Sequence, residues 1–171
     1  MNTPSDEAKP SALNYLLQTC VDGQDGYQLA SDSVKDSELK TTLASYAAQR
    51  VRFGQELKVF LDDIAEPPLE EPTLTGALHN GWINLKAIIK DGDELAILQE
   101  CVRGETSAVE RYRDAMSGND VPQTAQSVVQ RQAREIMDAH DQMELLSQRA
   151  QERVEPAESA LVEDDPPPGN T

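Results

Sequence analysis

The chain has few aromatic residues and only two cysteines. Aromatic residues make up 4% of the sequence, so a core has to come mainly from Leu, Ile, Val and Ala. Such a composition favours helices over sheets, whose strands draw on aromatic and β-branched residues. Cys20 and Cys101 both lie in apolar stripes. We interpret them as buried thiols of a reducing compartment, and we expect a cytoplasmic protein.

Positive charge is also scarce. There are 15 Lys and Arg residues against 31 Asp and Glu residues, for a formal net charge of −16. Because phosphate-rich partners attract clustered Lys and Arg, we expect neither nucleic acid nor an anionic membrane as a partner, and we attribute the charge to solubility. No apolar run approaches the roughly 20 residues of a membrane helix. The segment 1–7 lacks the features of a signal peptide.

Four long segments have apolar residues at spacings of three and four, the pattern of amphipathic helices. We expect short turns at Asp36, a candidate N-cap, and at 117–120, so that the first two helices and the last two are antiparallel neighbours. The four helical segments are 13–34, 39–64, 95–116 and 128–146.

The middle connection is long. Three prolines in 65–73 exclude a helix there, and an apolar face then runs from Leu74 through Trp82 to Ile89. Gly92 is a candidate C-cap and Asp93 the next N-cap. We therefore predict an all-α, ferritin-like four-helix bundle whose long crossover contains a short extra helix; the alternative is an up-down-up-down bundle with a decorated loop.

Around this bundle we predict a flexible arm at 1–10 and a disordered, acidic, Pro-rich tail at 154–171. The bundle itself is expected to occupy 11–153. The apolar face around Trp82 offers a surface for a homodimer, or it packs on its own bundle.

Several segments resemble an uncharacterised bacterial family of ferritin-like four-helix-bundle proteins of unknown function. The resemblance covers about 11–150 and implies a bundle without supplying an activity. The segments that carry it are Asn14-Tyr15-Leu16-Leu17, Asp22-Gly23, Ala48-Gln49-Arg50, Gly76 to Lys86, Glu100 to Glu105 and Ala139-His140-Asp141.

Bundles that bind two metal ions need several inward carboxylates and Glu-x-x-His pairs. Counting along the helices places one carboxylate, Glu105, in a mid-bundle layer and no histidine in the spaced motif. We therefore expect a buried polar network in which Arg50 pairs with Glu105. The alternatives are a degenerate or mononuclear metal site and an error in helix phase. The residues of the predicted polar layer are Gln24, Gln49, Arg50, Glu105 and Gln132.

These patterns favour a non-catalytic structural or interaction protein, acting through an unidentified protein partner under stress. No cofactor is expected. The alternative is an oxidoreductase or iron-handling protein that binds iron or manganese with a reduced ligand set, and a third hypothesis is an adaptor whose acidic tail binds a basic partner. The candidate ligands are Glu105, Glu135, Glu100 and His140.

Overall fold

The computed structural model describes residues 11–68 and 85–162, and within them all regular structure is helical. A short helix with a following 3₁₀ turn precedes the second helix pair. The helices are α1 (Ala12–Ser33), α2 (Ser37–Asp63), α3 (Leu85–Ile88), α4 (Glu94–Ser117) and α5 (Gln126–Val162). The predicted arm at 1–10, the part of the extra helix around His79 and Trp82, and the end of the tail at 163–171 lie outside the described residues.

Side-chain caps begin three of the long helices. The Asp36 carboxylate accepts a hydrogen bond from the Leu39 N–H at 2.7 Å, and Asp93 accepts one from Leu95 at 3.0 Å. Both caps confirm the sequence prediction, and each satisfies a backbone donor that the first helical turn leaves open. Ser11 caps α1 in the same way. Gly92 has a φ of +66°, the left-handed conformation in which a chain commonly leaves a helix.

Contacts between the helices determine their directions. Cys20 of α1 forms a hydrogen bond with Tyr112 of α4. Tyr27 lies further along α1 and forms a hydrogen bond with Glu105, which is nearer the start of α4. The two helices are therefore antiparallel. In an up-down-up-down bundle the first and third long helices would be parallel, so that alternative is excluded.

The middle connection joins opposite ends of the bundle. Just after α2, Glu66 accepts a hydrogen bond at 2.5 Å from Asn14 in the first turn of α1. The start of α4 lies at the other end, where Leu98 packs in one cluster with Val34 and Leu39 of the α1–α2 turn. The predicted all-α four-helix bundle with a long crossover is thus confirmed, and α3 supplies the described part of its extra helix.

The apolar core forms two clusters, one toward each end of the bundle. The first includes Leu16, Phe53 and Ile136, and the second includes Tyr27, Ile97 and Met143. Burying a side chain of this size contributes roughly 1.5–3 kcal/mol. The two clusters meet at a level that polar side chains occupy.

The predicted limit of the bundle at residue 153 is too early, because α5 continues to Val162. The prediction of a disordered tail is therefore wrong for residues 154–162. Pro156 removes only one backbone donor, and the residues after it include Ala157, Glu158 and Leu161, which have high helix propensity. The prediction gave too much weight to the acidic, Pro-rich composition. None of the described helices combines the length and apolar character needed to cross a bilayer.

Gly92→Ala should lower the free energy of unfolding by about 1–2 kcal/mol, because a Cβ atom is strained in the left-handed conformation. An added Cβ at this position meets no atom within 4 Å, so the strain comes from the backbone alone. Urea unfolding followed by circular dichroism measures the change.

Gly118→Ala is the control, since Gly118 has a φ of −78° and its added Cβ would meet other atoms only at 3.6 Å or more. It should change the free energy of unfolding by less than about 0.5 kcal/mol. Equal losses in the two variants would contradict the explanation from backbone strain.

Candidate functional site

The centre of the bundle contains a buried ion pair. Arg50 of α2 donates through Nη2 to Oε1 of Glu105 on α4, and their side chains are 2% and 1% exposed. Tyr27 of α1 donates its hydroxyl to the same carboxylate oxygen at 2.6 Å. Three helices therefore meet at one carboxylate, which receives a charge-assisted hydrogen bond and a neutral one.

The Arg50 guanidinium lies between two aromatic rings. Its carbon is 5.9 Å from the centre of the Tyr27 ring and 5.8 Å from that of Phe53, both within the range of a cation–π contact. Burial lowers the pKa of Arg50, but the neighbouring Glu105 outweighs it, and the net pKa is raised. Burial and the same carboxylate raise the pKa of Tyr27 well above its usual value. Arg50 is thus held as a cation and Tyr27 as a neutral donor.

Gly23 makes room for the long arginine side chain. A Cβ atom on Gly23 would lie 3.2 Å from Cγ of Arg50 and 3.3 Å from both Cδ and Nε. These distances are shorter than ordinary van der Waals contact. The Arg50 side chain therefore passes directly over the α1 backbone on its way to Glu105.

A second hydrogen-bond chain begins one to two turns away. Tyr112 donates to Oε1 of Gln132 at 2.8 Å, and its hydroxyl lies 3.3 Å from Sγ of Cys20. Gln132 in turn donates to Glu56 at 2.7 Å. Partial burial opposes the shift, but hydrogen bonds from Gln132 and Arg131 lower the pKa of the Glu56 carboxyl. This chain links the buried Cys20 thiol to a half-buried carboxylate at the surface.

The structure divides the predicted polar layer. Arg50 and Glu105 lie at its centre, whereas Gln132 belongs to the second chain and Gln49 reaches outward to Glu135 at 3.5 Å. Gln24 is half-buried and lines a groove beside Arg50.

The helix count misjudged α5 most. His140 of α5 lies 3.2 Å from the hydroxyl of Thr106, the neighbour of Glu105, so α5 crosses the ion-pair level near Ala139. Gln132 is about two turns from there. Residues 123–125 form a turn, and the helix begins at Gln126.

Each candidate carboxylate ligand has an arginine partner. Glu105 pairs with Arg50, and Glu100 accepts from Nε of Arg103 at 3.0 Å. The third, Glu135, is 30% exposed and binds two guanidinium groups. Its partners are Arg52 at 2.5 Å and Arg131 at 2.7 Å.

One group of metal-ligating side chains occurs within the described segments. Single ligand atoms of His140, Asp141 and Glu144 all lie within 4.8 Å of one another. His140 is 21% exposed, while the two carboxylates are 77% and 49% exposed. Glu100, Glu105 and Glu135 are not part of this group. The imidazole and carboxylates are ligands that divalent transition metals accept.

Both thiols are buried and neutral. Burial raises the pKa of Cys20 to about 11 from its ordinary 9.0, although the hydrogen bond with Tyr112 acts in the opposite direction. Burial and the nearby carboxylate of Glu105 also raise the pKa of Cys101. A reactive cysteine needs a depressed pKa and solvent access. The burial and raised pKa values of the two thiols therefore indicate a packing role.

Two tyrosine hydroxyls, which the sequence predictions did not include, complete the polar interior. Tyr27 and Tyr112 continue the apolar pattern of α1 and α4, and their rings pack in the two apolar clusters. A buried tyrosine hydroxyl nevertheless requires a hydrogen-bond partner, which was the available signal. The ion pair of Arg111 with Asp22, at 3.5 Å between Nη1 and Oδ2, was also missed.

Comparison with known families identifies the family of this chain. A family model described as a domain of unknown function (DUF2383) matches residues 9–118, from the start of α1 to the end of α4. The chain belongs to this family, which confirms the resemblance to a family of unknown function, with a match that ends before α5. No curated protein of known function matches the chain.

Glu105→Ala should lower the free energy of unfolding by about 3–5 kcal/mol, because Arg50 would stay buried as an unpaired cation. The double variant Arg50→Met/Glu105→Leu should recover most of that loss, since well-packed apolar groups can replace a buried ion pair. Chemical unfolding of the single and double variants measures both values.

Arg52→Ala is the matched control, because Arg52 is 53% exposed and pairs with Glu135 at the surface. It should cost no more than about 1 kcal/mol. Equal losses of unfolding free energy in Glu105→Ala and Arg52→Ala would show that burial does not determine the cost of breaking an ion pair.

Alkylation of the thiols by iodoacetamide should be at least about 100-fold slower in the native protein than in the urea-unfolded chain at neutral pH. For Cys20 the shift from 9.0 to about 11 alone lowers the thiolate fraction by about that factor. Folding favours the neutral thiol, so this contribution to stability is complete below the ordinary pKa and is lost as pH rises toward 11. Rapid native labelling of either cysteine, measured by mass spectrometry, would contradict buried thiols.

Proposed function

We propose that this protein is a non-catalytic helical bundle of the cytoplasm that acts through contacts of its surface with another protein. The observation that carries the proposal is the contact of Arg50 with Glu105. The Glu105 carboxylate is 1% exposed, and its Oε1 accepts from both the Arg50 guanidinium and the Tyr27 hydroxyl.

This contact is unfavourable for metal chemistry at the centre. Oε1 of Glu105 already accepts from Arg50 and Tyr27, and a cation bound at Oε2 would lie beside the fixed positive charge of Arg50. The Coulomb energy of two such charges in a buried site amounts to several kcal/mol. Glu100 and Glu135 are paired with arginines as well.

Nucleophilic catalysis has equally little support. The two thiols are buried with raised pKa values, and each tyrosine of the interior donates to a neighbouring side chain. What distinguishes the surface is its charge, formally −16 over the chain. A partner would be attracted over long range if it is basic. Homodimer formation and a role under stress stay predictions.

A metal-handling function is the second candidate, and one observation favours it. His140 lies 3.3 Å through Nδ1 from Asp141 and 3.8 Å through Nε2 from Glu144, and one ligand atom of each residue lies within 4.8 Å of the other two. An imidazole and two carboxylates are ligands that iron and manganese accept. Neither carboxylate pairs with an arginine within the described segments. The group is open to solvent, where a divalent ion would keep part of its water shell.

Elemental analysis of protein purified without chelators separates the two candidates. The proposal expects less than about 0.1 equivalent of iron or manganese per chain, a criterion set well below the full occupancy of a specific metal site. It also expects no change of the metal content in Glu105→Ala.

Stoichiometric metal would overturn the proposal, and two variants would then locate it. Loss of metal in His140→Ala but not in Glu105→Ala would assign it to the exposed group on α5. Loss in Glu105→Ala alone would place it at the bundle centre and show that the Arg50 pair opens to admit a cation.

A further inference from the structure

A small cavity lies beside the central ion pair, between α1, α2 and α4. Its volume is about 10 Å³, and both Arg50 and Glu105 line it. We propose that this cavity is a binding site for a single water molecule that bridges Nη1 of Arg50 and Oε2 of Glu105. The remaining lining residues are Thr19, Asp22, Gly23, Gly104, Ser107, Ala108 and Arg111.

One donor and one acceptor of the ion pair would gain a hydrogen-bond partner from such a water molecule. Nη2 of Arg50 and Oε1 of Glu105 bind each other, but Nη1 and Oε2 are buried and have no hydrogen-bond partner among the described residues. Both side chains are at least 98% buried. Buried polar groups are almost always paired with protein or ordered water. One group is a donor and the other an acceptor, and water can satisfy both at once.

The size of the cavity excludes larger ligands. A cavity of about 10–15 Å³ by this measure holds one water molecule. The site is thus at the lower limit for water and too small for phosphate, carboxylates or a metabolite. Water inside proteins needs two to four polar partners, and the ion pair supplies two.

The charges around the cavity favour a neutral occupant over an ion. Arg50 and Arg111 face Glu105 and Asp22, so the charged lining sums to zero. A chloride or sodium ion would enter with a charge that no lining group balances, at a large desolvation cost. A neutral, dipolar molecule such as water avoids the desolvation cost of an ion.

The water would complete the polar centre of the bundle. Gly23 and Gly104 line the cavity from α1 and α4, and their lack of side chains leaves the space open. A bridging water there would connect a donor on α2 to an acceptor on α4. This site depends on the ion pair and is independent of the function proposed above.

A high-resolution crystal structure of the full-length protein and ¹⁷O magnetic relaxation dispersion in solution test the proposal. We expect one density peak at hydrogen-bond distance from Nη1 of Arg50 and Oε2 of Glu105, and a long-lived internal water. In the double variant Arg50→Met/Glu105→Leu the number of long-lived waters should fall by one. The surface-pair variant Arg52→Met/Glu135→Leu should keep the native number.

Three results would overturn the proposal. The first is a cavity without density in a well-ordered native crystal. The second is an anomalous signal at the site, which would identify chloride or a metal ion. The third is an unchanged count of long-lived waters in the folded double variant. The native crystal alone decides the question if the double variant does not fold.

Discussion

The ion pair of Arg50 and Glu105 is the contact on which the centre of this bundle depends. α2 and α4 run parallel, and the pair crosses the interior between them, while Tyr27 ties α1 to the same carboxylate. In a medium of low dielectric constant such a network is strong when complete and costly when one member is missing. The helices around the pair therefore have to keep the guanidinium and the carboxylate within hydrogen-bond distance of each other.

This requirement explains several choices in the sequence. Gly23 is small because the Arg50 side chain passes within 3.2 Å of its Cβ position. Phe53 and Tyr27 present ring faces to the guanidinium, which is more weakly hydrated than an ammonium group. An apolar layer of the same volume would be as stable or more so. A slipped register would leave the buried charges unpaired, a cost that a core of Leu and Ala would not impose.

The fold was more predictable than the site because helices follow from local sequence signals, whereas the site depends on contacts between residues far apart in the sequence. Apolar spacing, the caps at Asp36 and Asp93 and the prolines after α2 are local signals, and they led to the observed helices and crossover. The level at which a residue meets other helices also depends on where each helix starts. Gln132 was predicted at the level of Glu105, but residues 123–125 form a turn before α5, and the region of Ala139 lies at that level instead. The count placed Arg50 and Glu105 at one level correctly, because the starts of α2 and α4 follow from the caps at Asp36 and Asp93.

The extent of the family match has a physical consequence for the domain. Residues 9–118 contain Tyr27, Arg50 and Glu105, and so the whole central ion-pair network. They lack α5, whose Val129, Ile136 and Met143 are fully buried in the two apolar clusters. Without α5, the apolar face of α4 would be open to water, and the low-dielectric surroundings of the ion pair would be lost. The matched segment therefore holds the polar centre but cannot bury it, and in this chain α5 provides the cover that makes the pair a stable element of the core.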